Sequence, residues 1–194
     1  MHQEVELKAL VKDLDNLMEK FEELGVERVG FEHQEDIYLN PPHKNYAITD
    51  EALRIRRVTD ENDERIAYLT YKGPKLDSKS KTREEVEIPL TESENDTVKL
   101  LGFLGFKEAI EIVKDRTLYK YKQFTICLDE VEGLSDIYLE MEVLVPEKED
   151  YRDLLKEMFN LYKELGISGK RNFITDSYLD LVEGKHLRLS SLFD

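Results

Sequence analysis

The 194-residue chain carries 43 acidic against 28 basic residues, a formal net charge of −15, with 37% of its residues charged. That length allows one domain, 1–194, with a core that needs no staples, and the acidity argues against nucleic acid as partner, since phosphate backbones are bound by basic surfaces. The single Cys127 permits no internal disulfide and no zinc-type Cys/His spacing; with no apolar leader and no membrane-length run, a cytoplasmic location away from the membrane is expected.

Residues 3–11 read as a strand in which Glu4, Glu6 and Lys8 share one face, and Val5 and Leu7 the other. Asp13 or Asp15 caps a helix to Leu24, with an apolar stripe of Leu14, Leu17, Met18, Phe21 and Leu24, and Gly25 ends it. Residues 27–39 read as extended, 40–45 as a loop, and 52–59 with 65–72 as a hairpin around Asp60-Glu61-Asn62-Asp63. A Lys- and Ser-rich stretch, Lys75 to Lys81, reads as mobile, and Thr82–Leu90 as the next strand. A second helix runs from Thr91 to about Gly105. Three extended segments follow at 107–122, 123–132 and 136–145, then a long helix to Leu165 and a short one over 174–183. Some eight long strands joined by hairpins predict an α+β fold whose antiparallel sheet is able to close into a barrel around a small ligand.

The charged pairs spaced by two recur as Arg54 and Arg56, Glu85 and Glu87, Lys114 and Arg116, and Glu140 and Glu142. One such stripe is usually a solvated face. A set of them leaves two readings, a highly charged outer surface or a charged lumen, and composition does not choose between them. Chemically, paired carboxylates suit a hard divalent cation such as Mg²⁺, which binds beside substrate phosphates. Guanidinium and ammonium groups suit phosphate oxygens. No Walker-type loop or G-x-G-x-x-G occurs, and His2, His33, His43 and His186 read as surface or loop residues outside any catalytic grouping. Tyr38, Tyr68, Tyr119 and Tyr138 read as barrel-wall aromatics rather than stacking platforms, and Cys127 as an inert buried thiol at the end of a strand.

Glu4-Val5-Glu6-Leu7-Lys8 resembles the E-x-E-x-K signature of the CYTH superfamily, the triphosphate tunnel metalloenzymes. Further blocks match in order: Gln34-Glu35-Asp36-Ile37-Tyr38-Leu39, Ala52-Leu53-Arg54-Ile55-Arg56, Tyr71-Lys72-Gly73-Pro74, Arg83-Glu84-Glu85-Val86-Glu87 and Val113-Lys114-Asp115-Arg116. They continue through Leu128-Asp129-Glu130-Val131-Glu132-Gly133-Leu134, Glu140-Met141-Glu142 and Ser177-Tyr178-Leu179-Asp180-Leu181, and look closest to the class IV adenylyl cyclase-like branch.

The resemblance implies a closed eight-stranded antiparallel tunnel with charges inside and helices outside. It implies that Lys8, Arg54, Arg56, Lys72, Arg83, Lys114 and Arg116 clamp a triphosphate, with Lys170 or Arg171 closing the tunnel. Glu4, Glu6, Glu140 and Glu142, helped by Glu85, Glu87 and Asp129, would hold Mg²⁺ or Mn²⁺. The catalytic set is Glu6, Lys8 and Lys114, with the general base open between Glu6 and a metal-bound hydroxide. The leading expectation is cyclisation of ATP to 3′,5′-cyclic AMP and pyrophosphate. The alternative is hydrolysis of tripolyphosphate, a nucleoside triphosphate or thiamine triphosphate, and a non-catalytic polyphosphate-binding module ranks third. A homodimer is a modest expectation.

Overall fold

The computed structural model describes residues 2–76, 80–91, 93–146 and 149–184; His186 lies outside the described residues, as does the His2 side chain. The chain runs β1 (His2–Val11), α1 (Leu14–Leu24), β2 (Glu27–Asn40), α2 (Tyr46–Thr49), β3 (Ala52–Asp60), β4 (Arg65–Lys72) and β5 (Arg83–Pro89). It continues α3 (Glu94–Phe103), β6 (Lys107–Tyr121), β7 (Phe124–Val131), β8 (Ile137–Pro146), α4 (Arg152–Glu164), β9 (Phe173–Ile174) and α5 (Tyr178–Val182). The strands hydrogen-bond in the order β5-β4-β3-β2-β6-β7-β8-β1, and β1 pairs back onto β5. Every pairing is antiparallel. The result is the closed eight-stranded barrel expected, with β9 added beside β1.

Closure explains two local departures from expectation. The register of β1 against β5 runs only from His2↔Glu85 to Glu4↔Arg83. Beyond Glu4 the backbone groups of β1 on that side still require partners. The Lys81 N–H donates to the Glu6 carbonyl at 3.0 Å, and β9 pairs with Lys8 and Ala9. Pairing with β1 therefore draws residues 173–174 into a strand, and only Tyr178–Val182 of the expected final helix is helical. The same pairing docks the end of the stretch expected to be mobile, and Ser80, Lys81 and Thr82 are buried.

The apolar core lies outside the barrel wall. Val5, Leu7 and Ala9 on the outer face of β1 pack with Leu17 and Phe21 of α1 and Leu155, Met158, Leu161 and Tyr162 of α4. Asp13 caps α1 through a 3.0 Å bond accepted from the Asn16 N–H, and Gly25 ends it at φ 72°, a left-handed conformation suited to glycine. The Tyr162 hydroxyl is 2.8 Å from the carbonyl oxygens of both Leu7 and Leu139, fastening α4 across β1 and β8. Tyr162→Phe should cost about 1–2 kcal/mol in urea unfolding, the scale of a lost buried hydrogen bond, and leave activity unchanged. Among the described residues no helix is long and apolar enough to cross a membrane.

Candidate active site in the barrel interior

With Val5, Leu7 and Ala9 committed to the outer core, the two-residue period of β1 turns Glu4, Glu6 and Lys8 inward, where all three are buried. The stripes expected on the other strands point into the same space. A cavity of about 720 Å³ is lined by Glu4, Glu6, Arg54, Arg56, Lys72, Lys81, Arg83, Glu85, Glu87, Lys114, Arg116, Glu140 and Glu142. The strand order separates the charges. Most of the cations stand on β3, β4 and β6, while the acids cluster on β5, β1 and β8, which neighbour one another. One side of the lumen is thus built for anions and the other for a cation.

Two buried carboxylates fix the cationic side from behind. Asp36 on β2 accepts from Arg56 Nε at 2.6 Å and Nη2 at 2.7 Å, and from Arg54 Nη1 at 3.2 Å. Burial pushes its carboxyl up, but the two guanidiniums outweigh it and hold Asp36 well below the usual carboxylate range. Asp129 on β7 does the same for β6: Arg116 reaches it through Nε and Nη2 at 2.6 Å each, and Lys114 at 3.2 Å. The Tyr178 hydroxyl adds a fourth bond at 2.8 Å. Asp129 was expected beside the metal; here it is fully buried, is not among the cavity-lining residues, and spends its oxygens on orienting Arg116, Lys114 and Tyr178. Arg83 is held by the carbonyl of Gly73 at 3.1 Å and that of Asp50 at 3.3 Å.

Lys114 differs from its neighbours. Burial first, and the Arg116 charge second, lower its ammonium to about 8 despite Asp129. Its ammonium is therefore held in a buried position beside a second cation, an arrangement that an arriving anion would relieve.

On the acidic side, Glu4 and Glu85 pair with Lys72 at 2.5 and 2.7 Å. Glu87 accepts from the Thr70 hydroxyl at 2.9 Å near the rim. Glu140 is drawn well below its ordinary range; burial opposes this, but Lys81, Arg116, Lys114 and Lys8 prevail. Glu6 and Glu142 sit directly opposite each other in the β1–β8 register. Burial and then Glu140 raise Glu6; burial and then Glu4 push Glu142 up to about 7. Among the described residues no three His, Cys, Asp or Glu side chains form a ready-made metal cage. The donors nevertheless suit a hard divalent cation: they are carboxylate oxygens carrying more negative charge than their surroundings balance.

Glu142 also predicts a pH dependence. Its folded carboxyl holds a proton more tightly than the ordinary value of 4.5, so metal-free protein should lose stability as pH rises from about 4.5 through 7. In thermal unfolding with EDTA, Glu142→Gln should flatten that decline.

Lys8 is placed differently from expectation. Its Nζ is completely buried, has no hydrogen-bond partner, and lies 3.8 Å from Glu140 and 3.9 Å from the centre of the Tyr178 ring. Burial and the nearby Lys81 charge lower it to about 7. It is not among the cavity-lining residues, whereas Tyr178 is. Tyr178 stands at the head of α5, which Ser177 and Asp180 cap reciprocally, and stacks edge-on against Tyr138 at 5.4 Å. Lys170 and Arg171 are exposed on a 3-10 turn, and neither is among the cavity-lining residues. Ser177, Tyr178, Leu179 and Asp180 at the head of α5 do line the cavity.

Sequence reasoning missed Lys81, Asp36 and Tyr178 as site residues. Asp36 was open to the same two-residue count along its strand, whereas Tyr178 opens a helix, where that count does not apply. Of the expected wall tyrosines, Tyr119 packs on Phe21 in the outer core at 4.7 Å, and Tyr38 lines the cavity. His33 pairs with Asp115 at 2.7 Å and His43 is exposed, both away from the site. Cys127 is buried within β7 rather than at its end, its thiol pushed up by burial.

Comparison with known proteins agrees with this geometry. The chain is 40% identical over 178 residues to a Methanocaldococcus jannaschii protein provisionally named adenylate cyclase, spanning 92% of this chain and 97% of that one. It is 26% identical over 181 residues to the adenylate cyclase CyaB of Aeromonas hydrophila, spanning 93% and 88%. The solved structure of the PH1819 protein from Pyrococcus horikoshii superposes with a TM-score of 0.84 at 41% identity, covering 94% of this chain and 99% of that one. Residues 2–178 match the CYTH domain, and the chain belongs to the CYTH family, whose members act on triphosphate substrates with a divalent metal.

Proposed function

We propose that the barrel interior cyclises ATP to 3′,5′-cyclic AMP and pyrophosphate. One observation carries this reading: a cationic wall on β3, β4 and β6 faces an acidic wall on β5, β1 and β8 across a single cavity. The adenylate cyclase name of the 40% identical relative supports the cyclase over other triphosphate reactions.

Arg54, Arg56, Lys114 and Arg116 hold the phosphate oxygens, with Lys72 and Arg83 at the side. Because Asp36 and Asp129 fix the three arginines before substrate arrives, little reorganisation is needed as charge develops on the leaving pyrophosphate. The 3′-hydroxyl oxygen attacks the α-phosphorus as the bond to the β-phosphate bridging oxygen breaks. In this reading Glu6, whose proton affinity burial and Glu140 raise in the ligand-free protein, accepts the hydroxyl proton. A divalent cation bound through Glu6 and Glu142, with Glu4 beside them, would supply Lewis-acid polarisation of the phosphate oxygens. Asp129 and Lys8 act from behind the lining, through the groups they touch.

A hydrolytic reading uses the same residues, with water attacking the terminal phosphorus. It is supported by the same two charged walls, which bear on phosphates whichever nucleophile attacks. Chromatography of products from ATP and from tripolyphosphate, with Mg²⁺ or Mn²⁺, separates the two. Cyclic AMP with pyrophosphate is the expected result; orthophosphate without cyclic AMP would overturn the cyclase. EDTA should abolish turnover in either case, and restored Mg²⁺ or Mn²⁺ should recover it.

A further inference from the structure

Lys81 lines the cavity among the acids, seated between Glu6 and Glu140 much as Lys72 is between Glu4 and Glu85. Continuing the β1–β5 register past Glu4↔Arg83 places it opposite Glu6, and its backbone N–H bonds the Glu6 carbonyl at 3.0 Å. Its side chain turns inward like that of Glu6. The ammonium donates to Glu6 Oε1 and, at 2.9 Å, to Glu140 Oε1. Ser80 and Thr82 are buried on either side, their hydroxyls 2.6 Å apart, so the backbone carrying Lys81 is packed in place.

We propose that Lys81 is a built-in counter-cation for the metal site: it neutralises Glu6 and Glu140 in the ligand-free protein and is displaced when a divalent metal and a triphosphate enter together. The inference rests on the metal-triphosphate reading above and adds the coupling between the two ligands.

Charge accounting gives the reason for that coupling. Four carboxylates on adjacent strands in a buried lumen repel one another, and an ammonium held between two of them relieves this without a metal. A dication that takes the place of the ammonium adds two positive charges to the lumen, because the tethered Lys81 stays on its wall. The opposite wall sets four cations, Arg54, Arg56, Lys114 and Arg116, against the two buried carboxylates behind them, Asp36 and Asp129, and so already carries excess positive charge. The exchange becomes favourable when an anion arrives with the metal, because the anion compensates both the dication and the ammonium it releases. Metal alone should therefore bind weakly, and metal with triphosphate tightly.

The test is Mn²⁺ binding read by electron paramagnetic resonance, with and without a non-hydrolysable methylene analogue of ATP. In wild-type protein the analogue should tighten Mn²⁺ on the order of tenfold or more, a usual size for coupling between two ligands. Lys81→Met should bind Mn²⁺ alone about tenfold tighter than wild type and lose most of the dependence on the analogue. Lys81→Arg, which keeps the charge, should bind Mn²⁺ alone as weakly as wild type, and it serves as the test should Lys81→Met not fold. Mn²⁺ affinity that is the same or weaker in Lys81→Met, or tightened in Lys81→Arg, would overturn the inference while leaving the proposed function standing. If wild-type protein takes up no Mn²⁺ even with the analogue, the metal-triphosphate reading itself fails.

Discussion

Asp129→Asn is expected to destabilise the protein by about 3–5 kcal/mol, the scale for breaking a buried ion pair by removing one partner. The side chain is fully buried and serves Arg116 twice, Lys114 once and the Tyr178 hydroxyl once. An asparagine keeps the volume but removes the charge, and it presents an amide N–H₂ to groups that are themselves donors. Arg116 retains Glu140 at 2.5 Å; Lys114 loses its hydrogen-bonded carboxylate. For a chain of this length the shift corresponds to a fall of roughly 10 °C in melting temperature. Urea and thermal unfolding check it. A loss below about 1 kcal/mol would mean that Asp129 is not the anchor of β6 and α5. Acid should have a related effect: Asp129 and Asp36 are both held low by their cations, so the stability they contribute at neutral pH is lost as pH falls through their folded values.

Lys114→Met is expected to have the opposite profile. Its ammonium is lowered to about 8 by burial and by Arg116, so the ligand-free protein holds that charge at a cost. Replacing it with an apolar chain of similar length leaves Asp129 satisfied by Arg116 and Tyr178. Unfolding should show a protein at least as stable as wild type. Turnover of triphosphate should drop by about 10²–10³-fold, the usual consequence of removing one group that stabilises charge in the transition state. Stability gained where activity is lost is the signature of a charge kept for function rather than folding. A variant that unfolds more easily and turns over normally would place Lys114 in the scaffold instead.

The two aspartates and Lys114 also show how far the sequence could be read. Alternation placed Glu4, Glu6 and Lys8 on one face of β1 without any structure, since Val5 and Leu7 had to go elsewhere. It did not say which face was inside. In an ordinary half-buried strand the apolar face is interior; here it is the outer one, covered by α1 and α4, and the charges line the lumen. That inversion follows from barrel closure, a pairing between the first strand and the fifth across some eighty residues. Local pattern carries no information about such a pairing.

The same closure accounts for Lys81. By composition the stretch from Lys75 is polar and loop-like, and nothing in it says that the open side of β1 will take residues 80–82 against it. Lys170 is a different case. A cation beside the last helix looked suited to the tunnel, yet that turn faces solvent and α5 presents Tyr178. Asp129 carries an acidic side chain and was expected to help hold the metal, and Asp36 is its counterpart behind β3. Only contact geometry reveals that their oxygens are already spent on arginines.

The central claim is that the charged lumen, and not an outer surface, receives metal and triphosphate. Diffraction from crystals grown with Mn²⁺ and the methylene analogue of ATP tests it most directly. The account predicts an anomalous manganese peak inside the barrel on the side of β1 and β8, with phosphates against Lys114, Arg116, Arg54 and Arg56. An analogue bound outside the barrel, with Lys81 still seated between Glu6 and Glu140, would contradict it.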